Sequence, residues 1–92
     1  MATMTLTRAQ VRTLNEPVLV AAKRFGFFPQ VFIWRGQRHD VRAVEACRTE
    51  VRQDWRGQVE RHRFRVRTAS AVFELTQDTA RDTWKVEKMW SG

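Results

Sequence analysis

In the last third of the chain, polar and apolar residues alternate with a period of two, and a helix cannot gather such a pattern onto one face. In His62-Arg63-Phe64-Arg65-Val66-Arg67-Thr68, Phe64 and Val66 point one way while Arg63, Arg65 and Arg67 point the other. After a turn at Ala69-Ser70, Ala71, Phe73 and Leu75 face inward and Glu74 outward. A polar turn over residues 77–82 follows. Trp84 and Val86 then face inward, Lys85 and Glu87 outward, and Trp90 ends the strand. Each stretch reads as a half-buried strand, so the chain belongs among antiparallel β proteins.

The same period runs earlier, from Pro17 to Ala22. Residues 23–28, with Gly26, read as a turn closed by Pro29. Val31-Phe32-Ile33-Trp34 is a continuous apolar run, as in a strand covered on both faces. Arg35-Gly36-Gln37-Arg38 is a tight hairpin turn in which Gly36 supplies a positive φ. Residues 41–55 are ambiguous. Val41, Val44, Cys47 or Arg48, Val51 and Trp55 fall near helical spacing, yet the preceding hairpin calls for a strand. We read a strand over residues 39–47, then an irregular or helical excursion through Gly57. Residues 1–15 stand apart, either as a short helix capped by Thr7, carrying Ala9, Val11 and Leu14 and stopped by Asn15 and Pro17, or as a loose arm. The expected organisation is therefore an arm or helix over 1–15 and a single mainly β domain over 16–92. That domain is a small antiparallel meander of about six strands, an SH3-like partial barrel or curled sheet with at most one or two short helices.

Ninety-two residues make one domain. At 42% hydrophobic, with four Trp and six Phe, the chain can build a core despite its net charge of +7. Cys47 is the single cysteine, which excludes an intramolecular disulfide and reads as a half-buried small hydrophobe. No window approaches the roughly 18–20 apolar residues of a membrane span, and the opening residues lack a secretory pattern. A cytoplasmic location without membrane association is expected.

Fourteen of the seventeen cations are Arg. Arginine forks onto phosphates and stacks on aromatic rings, and a GC-rich genome also favours it over lysine. Arg63, Arg65 and Arg67 on one strand face, with Arg35 and Arg38 flanking a turn, form the candidate phosphate-contact set for DNA or RNA. The competing reading makes them a solvated face paired across strands with Glu74, Glu87 and Asp82. Trp34 and Trp84 fall on inward positions. Trp55 and Trp90 lie near element ends, where a ring either packs at an edge or stacks on a base or partner. The two histidines, His39 and His62, and the scattered carboxylates show no metal-ligand spacing. His39 with Asp40, and Glu60 with His62, are read as pointing to opposite faces. No phosphate-cradling glycine loop occurs. The expectation is a non-enzymatic binding domain without metal or cofactor. Its partner is a nucleic acid, or else a protein engaged through exposed aromatics and an edge strand, including a second copy as a homodimer.

The run Val31-Phe32-Ile33-Trp34-Arg35-Gly36-Gln37-Arg38-His39-Asp40-Val41, with Trp55, Phe64-Arg65-Val66, Phe73-Glu74-Leu75 and Trp84-Lys85-Val86, resembles a family of small uncharacterised bacterial domains. Its members carry an aromatic-Trp-Arg-Gly-x-Arg hairpin, and the similarity covers about residues 16–90. Some lie beside, or are fused to, proteins resembling Y-family DNA polymerases. The resemblance implies a role in DNA-damage tolerance and a translesion polymerase-like partner. The chain departs from the pattern at His39, where an aromatic such as Tyr is usual, and at Thr76-Gln77.

Overall fold

The computed structural model describes residues 10–55 and 57–91. Its elements are β1 (Gln10–Arg24), β2 (Phe28–Trp34), β3 (Gln37–Asp40), β4 (Ala43–Asp54), β5 (Gly57–Arg67), β6 (Val72–Asp78) and β7 (Thr83–Ser91). All pair antiparallel in one sheet of order β3-β2-β1-β7-β6-β5-β4. Two meanders, β1–β3 and β4–β7, are thus joined side by side through β1 and β7.

The strands of the last third form as their alternation requires. Phe64 and Val66 of β5, Phe73 and Leu75 of β6, and Trp84 and Val86 of β7 are buried, and they meet Phe32 and Trp34 of β2. The sheet curls on itself without closing into a barrel. Although β1 and β7 lie between β2 and β6, the Phe32 and Phe73 rings pack edge-on at 5.3 Å and Trp34 lies 5.7 Å from Phe73. Phe27 and Phe28 reach Phe64 at 5.2 and 6.1 Å. His39 stacks on Phe32 at 5.0 Å, in the position where the resemblance would place an aromatic ring.

Two turns are set by left-handed residues and a third by a side chain. Arg35 and Gly36, at φ 53° and 75°, close the two-residue β2–β3 hairpin, with Trp34 opposite Gln37. Phe25 and Gly26, at φ 56° and 64°, turn β1 into β2, and the Phe27 amide donates to the Arg24 carbonyl. Thr68 stabilises the β5–β6 turn, its hydroxyl oxygen accepting from the Ser70 and Ala71 amides at 3.2 and 3.3 Å.

The expected mainly β, antiparallel architecture of about six strands is found with seven, and with no helix among the described residues. Readings of single segments are corrected. The stretch read as an irregular or helical excursion is the far half of β4 and the start of β5. These strands pair from Ala43↔Arg67 to Asp54↔Gly57. A helix there would have needed a buried stripe, whereas Val51 is 55% exposed and Cys47 is exposed. Backbone pairing decides the segment, and helix propensity, a weak prior, yields to it. Cys47 is accordingly an exposed residue, not a half-buried one. From Gln10 onward the segment read as an arm or short helix belongs to β1, and Asn15, at φ 50°, is a bulge residue rather than a helix stop. Thr7 and Ala9 lie outside the described residues.

Candidate functional site

The strand alternation that buries Phe64 and Val66 turns Arg63, Arg65 and Arg67 to the opposite face, where the structure engages each of them. Arg63 donates to Glu87 at 2.8 Å, Glu74 at 3.1 Å and Glu50 at 3.2 Å, drawing in carboxylates from β7, β6 and β4. Its side chain is 20% exposed, and the surrounding carboxylates hold its guanidinium more firmly protonated than usual against the cost of burial. Glu87 also accepts from the Thr76 hydroxyl at 2.9 Å. Burial pushes the Glu87 carboxyl up, but Thr76 and Arg63 together hold it below its ordinary value. Arg65 lies 4.8 Å over the half-buried Trp90 ring. Arg67 donates to Glu45 at 2.7 Å.

The two hairpin arginines are also occupied. Arg38 donates to Asp40 at 3.1 Å. Arg35 donates to Glu16 at 2.8 Å and stacks 4.6 Å over Trp34, whose indole N–H donates to the same carboxylate at 2.9 Å. The Arg35 and Trp34 hydrogen bonds hold Glu16 down at about 2. The five candidate arginines therefore do not converge on one site. Glu74 and Glu87 do lie across from Arg63, whereas Asp82 accepts from Gln77 instead. Glu60 and His62, two residues apart, share a face and approach to 3.4 Å, correcting the reading that separated them.

Five of the six glutamates are in ion pairs with arginine within 4 Å, and the sixth, Glu60, lies 3.4 Å from His62. The cationic excess is therefore concentrated in the arginines left over. Among the described residues, Arg12, Arg24, Arg42, Arg52, Arg61, Arg65 and Arg81 have no ion-pair partner, Arg65 lying over Trp90 instead. Arg52, Arg61 and Arg81 line one concavity of about 730 Å3 between the β4–β5 hairpin and the β6–β7 turn. Register places them: Arg61 sits opposite Glu50 and Asp78, and Arg52 opposite Val59 on the same face. The carboxylates in the lining are engaged elsewhere. Glu50 serves Arg48 and Arg63, and Asp78 accepts the Ala80 and Arg81 amides at 3.1 and 3.3 Å, fixing the turn that carries Arg81. Trp55, 88% exposed, stands at the tip of the same hairpin. Three guanidinium groups with free donors around one hollow can take a polyanion through bidentate hydrogen bonds.

Arg61 continues the odd-numbered row of Arg63, Arg65 and Arg67 by one step, so extending that strand toward Gly57 finds it in the sequence. Arg81 carries no such signal, since its position depends on how the β6–β7 turn lies beside β4. No group of three or more His, Cys, Asp or Glu suited to a metal ion occurs among the described residues.

A curled antiparallel sheet bearing a hollow lined by arginines defines a small all-β domain of basic composition. The chain belongs to a family described as a domain of unknown function (DUF6504), whose match spans residues 4–91. No curated protein and no solved structure matches it.

Proposed function

We propose that the domain is a non-enzymatic nucleic-acid-binding accessory factor that holds the phosphate backbone in the hollow lined by Arg52, Arg61 and Arg81. The observation that carries this reading is the convergence of three arginines without carboxylate partners on a chain of net charge +7. Phosphate contacts of this kind are independent of base sequence. The sequence resemblance extends the proposal to a bacterial factor in DNA-damage tolerance, acting beside a translesion polymerase-like protein.

The test is fluorescence anisotropy with labelled single- and double-stranded DNA and RNA, titrated with salt from about 50 mM. The expected result is micromolar binding whose salt slope falls by about 2 when Arg52, Arg61 and Arg81 are all replaced by Gln. Binding unchanged in that variant, or absent at the lowest salt, overturns the proposal. A second reading, a protein-interaction module, is favoured by a different observation, the open seam of the sheet.

A further inference from the structure

The sheet fails to close because its two edges do not pair along their length. β3 covers β2 only from Val31 to Trp34, leaving the outer edge of Phe28–Gln30 without a strand. β4, twelve residues long, is the opposite edge of the sheet. The edges are tied at one end, where the Val41 amide donates to the Gln30 carbonyl and the Arg42 amide to the Arg67 carbonyl, both at 2.8 Å. Beyond this tie the seam opens into a cleft of about 460 Å3 lined by Phe25, Phe28, Val44, Ala46 and Cys47, with Arg24 at its rim. A smaller recess sharing Arg24, Phe28 and Val44 continues it toward Arg42.

We propose that this seam binds an extended segment of a partner protein, which adds a strand to the outer edge of β4, buries apolar side chains against Phe25, Phe28 and Val44, and presents acidic side chains to Arg24 and Arg42. The edge backbone offers alternating amide donors and carbonyl acceptors, which a peptide matches and a phosphodiester, lacking donors, does not. The Phe25 ring is 87% exposed and its backbone is held at φ 56°, a costly conformation for a bulky residue that carries the ring toward the seam. Charge selects the partner's sign. Arg24 and Arg42 have no carboxylate partners among the described residues, while Glu45, the acidic residue of the lining, is taken by Arg67. The cleft volume falls in the range that accommodates a ligand's side chains.

The test uses the full chain and a fluorescein-labelled peptide of about ten residues alternating Val and Glu, with two versions N-methylated on alternate sets of amides. Cys47, the single cysteine, lines the cleft and reports occupancy through its rate of alkylation by iodoacetamide. The expected results are a Kd below about 100 μM, loss of binding for one N-methylated version only, and Cys47 alkylation slowed about fivefold. Arg24→Glu with Arg42→Glu, both exposed positions, weakens binding about tenfold. The variant lacking Arg52, Arg61 and Arg81 still binds the peptide, which separates this proposal from phosphate binding in the hollow. No binding at about 1 mM, equal effects of both methylated versions, or unchanged Cys47 reactivity overturns it. Protection of Cys47 by DNA alone, or by self-association seen in sedimentation, also overturns it, assigning the seam to phosphate or to a second copy.

Discussion

Arg63 neutralises carboxylates from three other strands, and its loss would leave Glu74 and Glu87, at 12% and 15% side-chain exposure, facing each other with only the half-exposed Lys85, 3.7 Å from Glu87, as a nearby cation. Breaking such a network by removing one partner costs far more than the network contributes, because the remaining charges stay poorly solvated. Arg63→Ala is expected to destabilise the fold by about 3 kcal/mol, lowering Tm by about 15 °C. Adding Glu74→Gln and Glu87→Gln should recover much of this, as thermal unfolding by circular dichroism would show. Recovery marks Arg63 as part of the sheet's internal electrostatics. His39 is the second unusual residue. Its Nε2 is buried without a hydrogen-bond partner, and burial among aromatic rings lowers its pKa below the ordinary 6.5. The folded state therefore favours neutral His39, so its stabilisation is complete above about pH 6.5 and is lost as pH falls toward the lower folded value. His39→Phe keeps the stack on Phe32 and removes the orphaned nitrogen. It is expected to raise stability by about 1 kcal/mol at neutral pH, and its Tm advantage should widen between pH 7.5 and 5.

β1 serves two partners in succession. Gln10–Val18 lie along β7 and Leu19–Arg24 along β2, with an irregularity between Thr13 and Glu16 where Asn15 takes a left-handed φ of 50°. The bulge bends the strand as the sheet curls, and Asn tolerates this backbone better than most residues. Asn15→Val is expected to cost about 1–2 kcal/mol, a fall in Tm of about 5–10 °C, while Asn15→Gly stays near the parent in the same melt. How far the elements are legible in the sequence follows from what each one buries. β5, β6 and β7 announce themselves because Phe64, Val66, Phe73, Leu75, Trp84 and Val86 reach at most 7% exposure, so burial writes period two into the residues. β4 buries little and is held by its backbone ladder to β5, so its side chains were free to mimic helical spacing. The arginine row was legible as a face. Pairing with Glu74 and Glu87 was legible as the competing reading of that face, whereas the share of Glu50 was not, because its approach to Arg63 requires the register of β4 against β5.

At the scale of the whole molecule, one curled sheet separates two kinds of surface. The hollow between the β4–β5 hairpin and the β6–β7 turn holds cations released from pairing, whereas the seam between β4 and β2 combines an unpaired backbone edge with apolar rings. The two share β4 but use different stretches of it, Glu50–Arg52 for the hollow and Val44–Cys47 for the seam. The hollow lies within the β4–β7 meander, whereas the seam, which sets β2 against β4, depends on the pairing of β1 with β7, where Gln10 meets Ser91 and Val18 meets Trp84. Each meander can form from neighbouring hairpins, but this contact joins residues at opposite ends of the sequence and carries the largest loop-closure entropy in the sheet. During synthesis β7 is the last of these seven strands to emerge. Until it does, the aromatic faces of both meanders remain uncovered, and the nascent chain passes through its most aggregation-prone stage immediately before the fold completes.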